Sequence, residues 1–326
     1  MAELPAIRGV EGASDDPNQH PSGSVDVSDI EGSFAPNTRI AYASDWRLWK
    51  AWCADAGRAA FPPDPADVAE WTKYRAARGA RLSSLRRAIS AIATACRLAD
   101  VEFDRRSPAL YYAFRRLSRE HGTAATNARA ELLTDDLVAM LPAGASLRAV
   151  RDRALLLIGY AGGFRRSELA GLEVPDLAWR RDGATIALRK SKTDQAGAGQ
   201  LVAIVYGAKD KTCPLRALKA WLALSQICDG PLFRRLTSSG QLTRQPIQAD
   251  TVYRLVKAYA EAAGIDNSRL GAHSLRVGHV TQALQNGADP VKAKDQLRHK
   301  KLDTTLGYNR GGASLFLNNT SGKLGL

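Results

Sequence analysis

The sequence predicts a mainly α protein: an all-helical N-terminal domain, then a mixed α/β domain that is mostly helical and holds one small antiparallel sheet. Three observations lead there. Leu82, Leu85, Ile89, Ile92, Cys96 and Ala99 form a single apolar stripe at helical spacing. HGTAATNARA, residues 121–130, lacks apolar periodicity and reads as a linker. Beyond it, GATIALRK and GQLVAIVYG are short β-rich runs separated by SKTDQAGA, the pattern of a hairpin with a loose loop.

The elements follow in order. Residues 1–33 are rich in Gly, Ser, Asp and Pro, and read as a disordered acidic tail. The helical N-terminal domain is placed at 34–120. Its first helix is capped by Asn37 or Thr38, carries Tyr42, Trp46, Trp49 and Cys53 at helical spacing, and stops at Gly57. FPPDPADVAEW is a proline-marked turn leading into a second helix, with Asp64 as cap and Pro65 in the first helical position. The third helix turns its apolar stripe inward and presents Ser83, Arg86, Arg87 and Ser90 on the opposite face. A fourth runs near Pro108 to Arg119. The second domain is placed at 131–326. LLTDDLVAML offers Thr134 as cap with acids in its first turn, and RAVRDRALLLIGYAGG is an apolar helix closed by Gly162 and Gly163. After the hairpin, helices return in CPLRALKAWLALSQI, QADTVYRLVKAYAEAAG, HSLRVGHVTQALQNG and DPVKAKDQL.

Composition narrows the function. Of 326 residues, 45% are hydrophobic and 24% charged, the balance of a globular protein. The longest nearly apolar run, ALLLIGYAGGF, falls short of the roughly 20 residues that cross a bilayer. No basic region followed by an apolar block marks a secretory signal, so a cytoplasmic location is expected. Cys53, Cys96, Cys213 and Cys228 are scattered, as are the five histidines, which argues against a zinc site or a disulfide framework. The net charge of +13 is uneven. Residues 1–33 hold seven acids against Arg8, so the rest of the chain carries +19. A folded body that basic points to a polyanion, most often nucleic acid.

Six residues of the second domain suggest chemistry. Arg165 follows a double glycine, where the chain can turn sharply. Lys192 sits in the hairpin loop, and His273 and Arg276 share a helix face. His299 lies in LRHKKLDTTLGY, which ends at Tyr308. Each also has a plain reading: Arg165 paired with a glutamate, Lys192 a solvated charge, His273 a cap, and His299 and Tyr308 packing residues. Together they fit one task. Arginine forks match the oxygens of a phosphodiester under attack, and histidines can join them. Tyrosine, with a free pKa of about 10, becomes a nucleophile only in a positive field or beside a base. A loop lysine can protonate the leaving oxygen. Such a site needs neither metal nor cofactor.

GFRRSELAGL resembles the first arginine box of the tyrosine recombinases, the phage integrase family. HSLRVGHVT resembles their H-x-x-R box, LRHKKLDTTLGY their L-G-H…T-T…Y box, and SKT between two strands the hairpin that carries their lysine. Upstream, RIAYASDWRLWKAWC, FPPDPADVAEW and LRRAISAI are similar to the core-binding domain of Cre-type recombinases. The resemblance implies a site-specific recombinase whose two domains clamp double-stranded DNA. Two protomers would bind the inverted arms of one site, and two sites would synapse as a tetramer, with no membrane involved. It implies Tyr308 as nucleophile, Arg165 and Arg276 as phosphate clamp, Lys192 as general acid, His273 in proton transfer and His299 on the phosphate. Glu168 matches the acid that supports the pocket. Ser83, Arg86 and Arg87 are expected to face DNA, and the segment with Leu315, Phe316 and Leu317 to act between subunits. A DNA-binding protein without cleavage and a type IB topoisomerase share the fold and stay open as alternatives. One departure is Arg298, where the family has glycine; it is expected to point away or to contact DNA. For His279 a packing role is expected.

Overall fold

A computed structural model describes residues 34–121, 130–189 and 199–308. The acidic tail, most of the linker, Lys192 and everything after Tyr308 lie outside the described residues. The chain divides into two units, Met1–Ala125 and Thr126–Leu326.

The first unit contains four helices among its described residues: α1 (Pro36–Asp55), α2 (Pro65–Ala77), α3 (Leu82–Leu98) and α4 (Pro108–His121). The cap of α2 is as expected: Asp64 accepts a 2.7 Å bond from the Ala66 amide, with Pro65 in the first position. Helix α1 starts one residue before Asn37 and has no side-chain cap, because the capping position is Ala35, which has no side-chain acceptor. Gly57, at φ +62°, follows its end. The core is aromatic. Trp49 is fully buried, stacks on Trp52 and meets Trp71 edge-on at 5.4 Å. Leu85, Ile89, Ile92 and Cys96 of α3 complete it, while Ala99, last of the stripe, lies past the helix end and is exposed.

The second unit opens with α5 (Thr134–Ala139), α6 (Leu147–Ala161) and α7 (Arg166–Ala170). Thr134 is the first residue of α5 rather than its cap; Asp136 reaches back to the Leu133 amide instead. Three antiparallel strands follow, in the order β1 (Leu177–Trp179), β2 (Gly183–Leu188) and β3 (Gln200–Val205). Strands β2 and β3 are the expected hairpin, paired from Gly183↔Val205 to Leu188↔Gln200. Ala184, Ile186, Leu188, Val202 and Ile204 face the core, in the alternation of a sheet with one covered face. After α8 (Pro214–Ser225) comes a second sheet, β4 (Arg234–Leu236) with β5 (Leu242–Pro246). Residue order carries no sign of this second sheet, because its strands are short and largely polar. Helices α9 (Ala249–Ala262), α10 (Ala272–Gln285), α11 (Pro290–Leu297) and α12 (Leu302–Leu306) complete the described unit.

Apolar α6 lies at its centre, with Ala154, Leu155, Leu156 and Ile158 fully buried. Helix α10 also runs through the interior, and Gly278 on it is obligatory: a Cβ there would strike the Leu132 carbonyl oxygen. This crossing fixes α10, and with it His273 and Arg276, against the segment leading into α5. No helix of the described residues is long and apolar enough to cross a membrane.

Candidate active site

The pocket is built where α6 ends. Gly162 caps α6 and Gly163 adopts φ +54°, so the chain reverses and buries Phe164. A Cβ on Gly163 would collide with the Leu297 side chain, so the double glycine also lets the end of α11 come close. Arg165 then caps α7. Its amide donates to Glu168 Oε2 over 2.9 Å, and its guanidinium to Oε1. The Arg165 side chain keeps 21% of its exposure, while that of Glu168 keeps 2%. Arg165 is thus both glutamate-paired and open to solvent, a carboxylate from within holding a cation at the rim.

Arg276 enters from α10 and is buried. Its Nη1 donates to the Gly163 carbonyl at 2.8 Å, and its Nη2 to the Leu297 carbonyl. These bonds fix the plane of the fork. Burial first, and then Arg165 and Arg298, push the Arg276 guanidinium down to about 10. Glu168 partly offsets that crowding of charge. Burial alone would raise the Glu168 carboxyl, but Arg298 and Arg165 hold it below the usual carboxylate range.

His299 follows the end of α11 and is buried, with Nδ1 2.8 Å from Thr305 Oγ1. The second threonine of the T-T pair therefore sets the ring's orientation. Tyr308 follows α12; its ring lies 5.9 Å from that of His299 at an interplanar angle of 22°, and its base packs on Val280, Leu284, Ala293 and Leu297. The Tyr308 hydroxyl is 3.5 Å from Nε2 of His273. His273 is exposed and does not cap α10; Gly271 and Ser274 make that turn.

The structure therefore brings Arg165, Glu168, His273, Arg276, His299 and Tyr308 together from three segments, while Lys192 falls outside the described residues. Arg298 was not foreseen as part of this site. Its side chain neither points away from the site nor reaches out to DNA; it turns inward onto Glu168, 3.0 Å away, because a buried guanidinium must find acceptors. Thr305 was also missed, although T-T in the quoted box was its signal. His279 has the packing role expected of it, with Nδ1 2.8 Å from the Tyr160 carbonyl and its ring edge-on to Tyr160.

Burial, followed by Arg276, Arg165, Arg298 and His273, pushes His299 down to about 4. An unfolded histidine titrates near 6.5, so as pH falls the unfolded chain takes the proton first. The stability that neutral His299 contributes is full above about pH 6.5 and is lost as pH falls through about 4. Its size is of the order of 2–3 kcal/mol. Urea unfolding followed from pH 7 to pH 4.5 should fall more steeply for the wild type than for His299→Gln. Parallel curves would mean that His299 takes a proton as readily folded as unfolded.

The first unit keeps Ser83, Arg86 and Arg87 exposed on α3. Arg87, however, forks onto Asp45 at 2.8 and 3.1 Å, and the Asp45 side chain is only 4% exposed. Its charge is already met from within. Arg87→Ala is therefore expected to lower stability by about 1–3 kcal/mol, since it strands a buried carboxylate. The salt dependence of DNA binding should change by well under one unit of slope. A shallower slope with unchanged unfolding would place Arg87 on DNA instead. Beside Arg86 the groove between α3 and α4 gathers Arg105, Arg106 and Arg115, which the sequence reading had not singled out.

Comparison with known proteins places the chain in a family. The sequence model of the phage integrase family matches residues 131–313. The chain belongs to the phage integrase family. Residues 29–97 match that family's N-terminal SAM-like domain. This integrase-family chain is 40% identical over 154 residues to an integrase/recombinase, a xerD homologue of Selenomonas ruminantium, covering 47% of this chain and 45% of that one. It is 33% identical over 159 residues to tyrosine recombinase XerD of Yersinia pestis, covering 49% of each. The similarity thus spans about half the length of these curated relatives. The fold of this integrase-family chain is that of the tyrosine recombinases. It matches the XerH site-specific recombinase in its post-cleavage complex with palindromic difH substrate with a TM-score of 0.62 at 17% identity, over 83% of this chain and 75% of that one. It matches a lambda integrase dimer bound to a COC′ core site with a TM-score of 0.56 at 16% identity, over 84% and 72%.

Proposed function

We propose that this chain is a site-specific DNA recombinase that cuts and rejoins strands through a 3′-phosphotyrosine. One observation carries the reading: a tyrosine hydroxyl stands 3.5 Å from a histidine, next to a pocket into which two arginines are locked by glutamate and backbone carbonyls. Tyr308 Oη attacks the phosphorus and passes its proton toward His273. Arg165 and Arg276 meet the negative charge that grows on the non-bridging oxygens. His299, neutral and steered by Thr305, is a hydrogen-bonding group there rather than a cation. The P–O5′ bond breaks, and Lys192 gives the leaving oxygen its proton. A 5′ hydroxyl from the partner strand then attacks the phosphotyrosine, breaks its P–O bond and returns the proton to Tyr308. One phosphodiester replaces another, so no external energy source enters.

In this reading residues 34–120 form the core-binding domain and 131–326 the catalytic domain, joined by 121–130. Ser83 and Arg86, with the neighbouring Arg105, Arg106 and Arg115, supply cations toward the phosphate backbone. The partner is double-stranded DNA with an inverted repeat, held by a dimer on one site and a tetramer across two. The segment containing Leu315, Phe316 and Leu317 links the subunits.

The test uses a duplex selected from a random library for tight binding, then nicked at successive central positions. A covalent protein–DNA band at one nick is expected, together with exchange of strands between two such duplexes. Covalent bands without exchange would turn the reading to topoisomerase action. Binding without covalent bands would turn it to a DNA-binding protein that does not cleave.

A further inference from the structure

Arg298 stands where the sequence breaks a local rule. It ends α11 with φ +58°, in the left-handed region that glycine enters most readily. A residue with a side chain persists at such a corner when the surroundings hold it there. Here they do. The side chain is 3% exposed. Its Nη1 donates to the Gln296 carbonyl at 2.8 Å, and its Nη2 to the Gly163 carbonyl at 3.1 Å and Glu168 Oε2 at 3.0 Å. The guanidinium lies over the Phe164 ring, 5.4 Å from its centroid.

Two connections follow. The Glu168 carboxylate joins Arg298, on one oxygen, to the Arg165 guanidinium on the other. The Gly163 carbonyl joins Arg298 to Arg276, since both donate to it. Arg298 is therefore the group common to both arginines of the pocket.

We propose that Arg298 is a positioning residue that fixes Glu168 and the Gly163 carbonyl and through them aims Arg165 and Arg276 at a phosphate. The proposal rests on reading the pocket as a phosphodiester site. A carboxylate held by one arginine alone would swing with it; held by a second, buried arginine, it becomes a fixed post. The charged and titratable groups around this post are Arg165 on the α7 turn, Arg276 and His279 on α10, and Arg298 and His299 after α11. Burial favours the protonated Glu168 carboxyl, and Arg298 is the foremost of the groups opposing it. Without Arg298 the carboxyl takes up its proton at a higher pH, and its grip on Arg165 loosens as it does so.

Arg298→Gly suits the left-handed corner, so it removes the side chain without straining the backbone. The experiment measures single-turnover adduct formation on the selected nicked duplex across pH. Arg298→Gly is expected to slow it about ten-fold or more, with DNA affinity within about three-fold. The acid limb of its rate profile should rise by about one pH unit. In a Glu168→Gln background the further change to Arg298→Gly should leave the limb where it is. Arg298→Lys keeps the charge without the fork, and should keep the wild-type limb at a reduced rate. A wild-type rate and limb in Arg298→Gly would overturn the proposal, as would the same limb shift with Glu168 already replaced. If the glycine variant does not fold, a wild-type rate in Arg298→Lys overturns it. If the wild type forms no adduct on any nicked duplex, the recombinase reading falls, and acid unfolding then decides on Arg298. A carboxyl with a depressed pKa contributes stability that is lost as pH falls through that pKa. Arg298→Gly should lose stability at a higher pH than the wild type, and coincident curves overturn the role.

Discussion

Tyr308→Phe is expected to form covalent adduct at less than roughly 10⁻³ of the wild-type rate, while binding the same nicked duplex within about three-fold. The substitution removes one oxygen and little else. The phenylalanine ring can still lie 5.9 Å from His299 and rest on Val280, Leu284, Ala293 and Leu297, so neither the fold nor the floor of the pocket is disturbed. What disappears is the atom 3.5 Å from His273 Nε2. The proposed nucleophile is lost while the contacts of the ring stay, which is why the effect on rate is large and that on binding small. Gel shift and denaturing gel on one sample separate the two. An adduct formed by Tyr308→Phe at a comparable rate would falsify the assignment.

Arg276→Lys is the second large effect. The charge is kept, and adduct formation should still fall by roughly 10²–10³. The reason is geometric. The two Nη atoms of Arg276 reach the carbonyls of Gly163 and Leu297, on segments far apart in the chain, and in the proposed reading this double anchor sets the plane in which the remaining N–H groups would meet a phosphate. A lysine ammonium is a single point at the end of a flexible stem and cannot span both carbonyls in a fixed plane. It also leaves a buried acceptor short of a donor, at about 1–3 kcal/mol of stability. Rate and urea midpoint should fall together, with the rate falling further than the loss of folded protein explains. A rate within about five-fold of wild type would show that charge alone, not the fork, is what the pocket uses.

The two variants also separate what could be read in the chain from what could not. The family boxes point to Arg165, Arg276, His299 and Tyr308, which the fold brings together, because motifs of fixed local spacing survive in one dimension. The apolar stripe of α3 and the β2–β3 hairpin were legible for the same reason: periodicities of 3.6 and 2 are written directly in residue order. Helix α2 could be read to its cap, because Asp64 and Pro65 act within one turn. Strands β4 and β5 could not, since three to five polar residues carry no periodicity, and their pairing is set by the turn between them and by the body behind.

Arg87 and Arg298 show the other limit. Arg87 was expected to face DNA and Arg298 to point away or to contact DNA, and charge alone does not say whether a guanidinium goes out to phosphate or in to a carboxylate. Asp45 and Glu168, 42 and 130 residues away, decide that, and only the folded chain brings them within reach. The sequence by itself determined the fold class, the two-part organisation it predicts and the chemical types at the pocket. The tertiary structure alone decided which cations are already neutralised from within, how Gly163 is shared by two arginines, and why an arginine holds a left-handed corner. The physical reason is that helices and hairpins are stabilised by neighbours a few residues apart, whereas buried charge is stabilised by whichever partner the fold delivers.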